Sequence, residues 1–446
     1  MINLRTLSGT TAKDLRGITE YPREVPQDAP ALDNYIRHDR SAGEREAPSL
    51  WAGQLADEFN LQGEVKQSDQ IAALKGFNPR TGQPILATSG DARRYGWEIV
   101  LSADLDVSAL AGVADKGLHD AIAKAHDTAV RAALSEAERR WIHARRGAGG
   151  AVHEQAKLLF SAYRHEASRP PSRDPNARPD PQLHSHIFLH NLALRSDGTW
   201  STIDPRSMFQ HQRTIDAIYK CELAHQLHQL GFQIGRTDGN QLHISGVPEA
   251  THEQFGRRRK QILEAMRNPL AQGREAARAR ESARQNTRAD KPAIQASELR
   301  ANWRERAAQA GLTPDLIESL RARGRGAVKP TLEQWRETVR EALFEHESVA
   351  NERQIWETVS QRAIGYLPAE RIADEVEHLK ANLLHLEDRD HRRETWTTRE
   401  LYKQETGIIE SAMRRLDERS QTLKRETINE AFERFERERG FVSNII

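Results

Sequence analysis

The chain has 446 residues, 37% hydrophobic and 29% charged, with a mean hydropathy of -0.76, enough for two or three domains beneath a large polar surface. No apolar run is long enough to span a bilayer and the start, MINLRTLSGTTAKDLRG, lacks the apolar stretch of a secretory signal, so the expected location is cytoplasmic; the lone Cys221 excludes a disulfide framework or a cysteine-based zinc module. The net charge of +1 conceals a gradient, with 46 Lys+Arg against 40 Asp+Glu over residues 1–328 and 20 against 25 over residues 329–446, which makes the first part the candidate for DNA contact.

In chain order, residues 1–50 have mixed propensity, and the proline-containing stretch from Tyr21 to Pro30 reads as a loop between helical pieces. Two β-rich runs, ILATS and WEIVLSA, joined by SGDARRYG, predict a hairpin or strand pair between Ile85 and Ala103. Residues 116–144 carry Leu118, Ile122, Ala125, Val130, Leu134, Ala137 and Trp141 at helical spacing and end in the glycines of RRGAGG. The apolar stretches 156–165 and 184–194 read as adjacent strands joined by a Pro-, Arg- and Asp-rich loop over 170–182. Asp197-Gly198 marks a turn, a helix is expected from Pro205 to about Leu230, and beyond about residue 250 the pattern is almost wholly helical. A boundary near residue 300 divides the chain into residues 1–300 and a helical region, 301–446.

The densest chemistry lies at His165 and at His184 and His186. On a strand, residues i and i+2 share a face, about 7 Å apart by backbone rise, so His184 and His186 can chelate one ion. If the strand of His165 lies alongside, a third imidazole reaches the same point, and three neutral histidines leave coordination positions open, as catalytic metal sites require. In a chain with 18 histidines the same pattern also fits ordinary packing. His190, four residues past His186, shares its face and reads most simply as a core residue. The basic residues Arg257, Arg258, Arg259 and Lys260, followed by Arg274, Arg278, Arg280, Arg284, Arg288 and Lys291, suit phosphate neutralisation, or form a solvated helix face with the interleaved Glu275 and Glu281.

HEASR followed by PDPQLHSHIFLHNLALRSDGTW resembles the three-histidine motif of the MobF-type conjugative relaxases, members of the HUH endonucleases, with an inserted stretch at about 170–179. The similarity continues through TIDPRSMFQHQRTIDAIYKCELAHQLHQLGFQI and, near the start, through AKDLRGITEY and SLWAGQLADEFNLQGEV. The resemblance implies an α/β (α+β) two-layer sandwich with a central antiparallel sheet flanked by helices. It also implies strand-specific DNA nicking through a 5′-phosphotyrosine, with His165, His184 and His186 as ligands of a divalent metal. Magnesium or manganese is the expected ion, and three imidazoles also suit zinc, nickel or copper.

By position, the resemblance implies Tyr21 as the nucleophile and Tyr35 as a second tyrosine. Glu98 stands where the family has an Asp that hydrogen-bonds a metal-bound histidine or takes the tyrosine's proton. Three departures stand out: Tyr21 is followed by Pro22 and Tyr35 by Ile36, where paired tyrosines are common, and Leu105 replaces a lysine. DNA contacts are expected from Arg93, Arg94, Arg169, Thr287, Arg288 and Lys291. The implied partners are single-stranded and origin-of-transfer DNA, with a coupling protein or relaxosome accessory proteins. TWTTRELYKQETGIIESAMRRL resembles the segment leading into the family's helicase region, but no P-loop sequence occurs, so the chain carries no helicase motor. A rolling-circle replication initiator of the same fold and a decayed relaxase acting as a DNA-binding module are the alternative readings.

Overall fold

The computed structural model describes residues 3–8, 38–39, 45–46, 48–90, 93–147, 152–172, 176–266, 273–287, 289, 294–324, 330–386, 394–417 and 425–439. They fall into two compact units, Met1–Leu343 with Arg353–His378, and Phe344–Glu352 with Leu379–Ile446.

The first unit is organised by two long neighbouring strands. The strands are β1 (Asn3–Ser8), β2 (His38–Asp39), β3 (Arg45–Glu46), β4 (Ser49–Ala52), β5 (Arg94–Ser102), β6 (His143–Arg146), β7 (Val152–Ala167), β8 (Pro181–Arg195), β9 (Trp200–Ser201) and β10 (Ile203–Asp204). The main sheet runs β1-β5-β8-β7-β6-β10, with β4 added to β7 and β9 to β8, and its pairs are antiparallel. β2 and β3 pair separately. Leu183 through Ala193 of β8 are buried without interruption, which is why this central strand reads as a continuous apolar run broken only by histidines, Ser185 and Asn191.

One layer of side chains covers each face. Trp51, Leu55, Phe59, Leu74, Tyr95, Tyr163 and Phe188 form one buried cluster. The helix Lys116–Arg140 lies against the opposite face, its start capped by Asp115, whose carboxylate accepts from the Leu118 N–H at 2.9 Å, an arrangement worth about 1 kcal/mol. Gly53 turns the chain from β4 into the helix Gln54–Glu58 at φ 87°, and a Cβ there would sit 2.3 Å from the Leu158 carbonyl oxygen, so the sheet's close approach requires glycine.

The long helix, the strands over 156–165 and 184–194, and the helical character beyond residue 250 match expectation, with the strands extended at both ends. Four local expectations are corrected. ILATS is a turn, not a strand: Ser89 Oγ donates to the Gly76 and Leu86 carbonyls at 2.6 and 2.7 Å, while Ile85 and Leu86 pack against the core cluster. The long helix ends at Arg140 rather than at the glycines, because residues 143–146 are drawn into β6 by pairing with β7. Near the N-terminus, residues 3–8 are a strand at the edge of the sheet rather than part of a helical piece. The expected single helix after Pro205 forms as two, Arg206–Gln210 and Gln212–Gln229.

After the sheet come a hairpin of β11 (Ile234–Arg236) and β12 (Leu242–Ile244) and a series of helices. The second unit contains a three-stranded ladder of β13 (Ala350–Asn351), β15 (Thr395–Thr397) and β14 (Leu384–Leu386), with the helices Arg399–Asp417 and Arg425–Arg439. Among the described residues, no helix is long and apolar enough to cross a membrane.

Candidate metal centre

Strand register brings the three histidines together. His165 of β7 lies directly opposite His184 of β8, and Tyr163 lies opposite His186, so His165, His184 and His186 project from one face. Their ring centroids are 5.0–5.3 Å apart, and one ring nitrogen from each lies within 4.8 Å of the others. All three are buried.

The hydrogen bonds around them set two of the tautomers. His186 Nδ1 meets Glu98 Oε1 at 2.6 Å and His184 Nδ1 donates to the Gln182 carbonyl oxygen at 2.8 Å. A carbonyl only accepts and an ionised carboxylate only accepts, so the proton sits on Nδ1 in each ring and Nε2 is the nitrogen whose lone pair can bind a metal. The donor set fits a divalent cation bound through imidazole nitrogen, with room in the coordination sphere for further ligands. Glu98 is buried beside them, its carboxylate on His186.

The remaining expected residues are dispersed. Arg93 is only 7% exposed and its Nη2 donates to the Asn191 carbonyl at 2.5 Å; burial brings its pKa down to about 10. Its neighbour Arg94 is exposed. Arg169 is half-buried and donates to the Ala289 carbonyl at 2.7 Å. Thr287 closes the helix Gly273–Asn286, its hydroxyl donating to Ala283 O at 2.6 Å and accepting from Arg258 Nη1 at 2.9 Å. Arg278, Arg280 and Arg284 on the same helix are exposed, the last paired with Glu281 at 3.3 Å. Leu105, in the lysine's place, is half-buried. Tyr21, Tyr35, Arg288 and Lys291 lie outside the described residues.

His190 is a core histidine, as the simpler reading held: Ser161 Oγ meets its Nε2 at 3.0 Å, and burial, helped by the Arg93 charge, drives its pKa to about 3.

Sequence reasoning missed the polar contacts behind the site. His126 lies between Tyr219 and Ser185, with Nδ1 2.7 Å from the phenol oxygen and Nε2 2.8 Å from the serine oxygen. Burial, then the charge of Arg164, drives its pKa to about 3, so the ring is neutral, donating through one nitrogen and accepting through the other. At the entry to β8, the buried Asp180 is held by Arg257 and Arg306 through Oδ1, at 2.5 and 2.7 Å. The available signal was His119, His126 and Asp127 falling on the sheet-facing side of a largely apolar helix face.

The model of the TrwC relaxase family matches residues 17–310. Among curated proteins, none matches the chain. Solved structures of the conjugative relaxase TrwC are similar to it: a metal-bound complex with oriT DNA at 27% identity, and a copper-bound complex with oriT DNA and a complex with a 27-mer comprising the recognition hairpin and the cleavage site, both at 28%. Each match covers 70% of this chain and 99% of the other, with a TM-score of 0.55.

Proposed function

The chain belongs to the TrwC relaxase family, and from that premise we infer how its own residues carry out the DNA nicking and strand transfer of a conjugative relaxase. The observation that carries the reading is the convergence of His165, His184 and His186, with Glu98 against His186.

We assign the nucleophile to Tyr21. Its phenol loses a proton and the oxygen attacks the scissile phosphorus; the Tyr21 O–P bond forms as the P–O3′ bond breaks, leaving a 5′-phosphotyrosine and a free 3′-hydroxyl. The reverse reaction rejoins the strand after transfer. The divalent cation supplies charge that offsets the negative charge developing on the phosphate. His165, His184 and His186 hold that cation, and Glu98 keeps His186 in the tautomer that presents Nε2. Magnesium or manganese is the ion we assign to the reaction, with zinc, nickel and copper expected to bind the same imidazoles. Tyr35 is assigned to a second transesterification.

The relaxase domain is placed at residues 1–300, a boundary supported by the family match over 17–310. Its substrate is single-stranded DNA from an origin of transfer, acted on in the cytoplasm with accessory proteins of the transfer complex. Exposed Arg94 and the exposed arginines of the helix Gly273–Asn286 suit phosphate contact, which favours affinity over sequence discrimination.

The test is a covalent adduct. Incubated with single-stranded DNA from its own mobile element and Mg²⁺ or Mn²⁺, the protein is expected to give a shifted band on a denaturing gel. That band disappears in Tyr21→Phe and in His184→Ala. Tight DNA binding with no adduct under either cation would overturn the reading in favour of a DNA-binding module.

A further inference from the structure

The ligand imidazoles leave one face of β7 and β8, while the residues flanking them leave the other, toward the helix Lys116–Arg140. The polar ones among them are caught there. Ser185, between His184 and His186, meets His126 Nε2 at 2.8 Å. Arg164, just before His165, pairs with Asp127. Glu166, just after His165, accepts from Arg300 Nη2 at 2.7 Å and lies 3.1 Å from His119 Nε2, which the same guanidinium meets at 2.8 Å.

His119, His126 and Asp127 are seven and eight residues apart, two turns of one helix face. The row is itself braced from behind, because the second nitrogen of each histidine is also engaged: His126 Nδ1 with the Tyr219 hydroxyl at 2.7 Å and His119 Nδ1 with the Ala111 carbonyl at 2.9 Å.

We propose that this helix row, with His126 on Ser185 at its centre, positions the metal ligands from the reverse face of the sheet. Successive side chains on a strand are coupled through the backbone, so any roll of β8 that displaces Ser185 turns His184 and His186 the opposite way. Hydrogen-bonding Ser185 to a helix therefore restrains both imidazoles together. The Gln182 carbonyl that orients His184 cannot do this, since it belongs to the same strand and rolls with it. The pairs at Arg164 and Glu166 restrain His165 in the same manner. His119, His126 and Asp127 are positioning residues, acting on the cation only through the strands.

The inference rests on the three histidines being the ligands, and its test separates the two. The metal-free full chain is titrated with Co²⁺, following the visible bands that report both occupancy and coordination geometry, and its thermal midpoint is measured without metal. Wild type is expected to bind and His184→Ala to lose the bands. Ser185→Ala and His126→Gln are expected to weaken Co²⁺ binding about tenfold, the lower end of what outer-shell changes cost, and to alter the bands; Ser185→Thr, which keeps the hydroxyl, restores most of the affinity.

Ser360→Ala serves as the stability control, since it deletes another buried hydroxyl, one that donates to the Trp356 carbonyl at 2.6 Å. It is expected to lower the thermal midpoint and leave Co²⁺ affinity unchanged. Ser185→Ala binding within twofold of wild type, or an equal loss in Ser360→Ala, overturns the proposal. Wild type without bands, or His184→Ala with wild-type bands, overturns the ligand assignment and the proposal with it.

Discussion

Glu98 and His186 meet diagonally across two neighbouring strands: Glu98 is in register with Phe188 and His186 with Val100, yet the carboxylate and Nδ1 are 2.6 Å apart. The glutamate's length suits this diagonal reach. Removing it leaves the imidazole free to rotate and to exchange tautomers, so Glu98→Ala is expected to weaken divalent-metal affinity by roughly 10- to 100-fold. Glu98→Gln, which can still accept through its amide oxygen but has lost the charge, should fall between the two. Calorimetric titration of the metal-free protein measures both, and equal affinity in all three proteins would detach Glu98 from the site.

Acid should destabilise the protein through its two buried neutral histidines. His126 and His190 have pKa values lowered from 6.5 to about 3, by burial first and then by Arg164 and Arg93 respectively. Above pH 6.5 neither state binds the proton and the shift contributes nothing. Between pH 6.5 and about 3 the unfolded chain takes up protons that the folded chain refuses, so stability falls with pH at about 1.4 kcal/mol per unit for each histidine. Urea midpoints at stepped pH check this; His190→Gln should remove one histidine's share of the slope, and an unchanged slope would mean that His190 is protonated in the fold.

Asp180 secures the start of β8, four residues before His184. Its buried carboxylate holds Arg257 and Arg306, and Asp180→Ala leaves Arg306, 12% exposed, facing the space without a counter-charge there. The expected loss is about 3 kcal/mol of unfolding free energy, the lower end for breaking a buried pair because Arg257 is partly solvated. Urea denaturation measures it. A loss under about 1 kcal/mol would mean that water replaces the carboxylate at little cost.

Arg93 and Arg94 are adjacent in sequence and opposite in environment. Arg94→Ala is expected to weaken single-stranded DNA binding across sequences and to reduce the slope of log K against log salt by about 1, the signature of one lost phosphate contact. Arg93→Ala should instead lower the thermal midpoint and leave the salt slope alone, because the guanidinium serves the Asn191 carbonyl inside the fold. Fluorescence anisotropy over a salt series separates the two, and a reduced slope in Arg93→Ala would return Arg93 to the DNA surface.

Sequence by itself determined what depends on neighbours along the chain. Alternation placed His184 and His186 on one face, the apolar spacing from Leu118 to Ala137 marked the long helix, and the motif around His165 tied a third histidine to the pair. Tertiary structure decided what depends on partners far away. Ile85 and Leu86 have strand-like composition yet plug a core, and residues 143–146 leave the helical pattern because the edge of β7 offers hydrogen bonds. Arg93 has the composition of a surface residue but is enclosed when β5 docks beside β8. The polar row behind the metal centre was equally hidden, since His126 and Ser185 are 59 residues apart; only the packing of helix on sheet brings an imidazole and a hydroxyl into a dry interface where each needs the other as a partner.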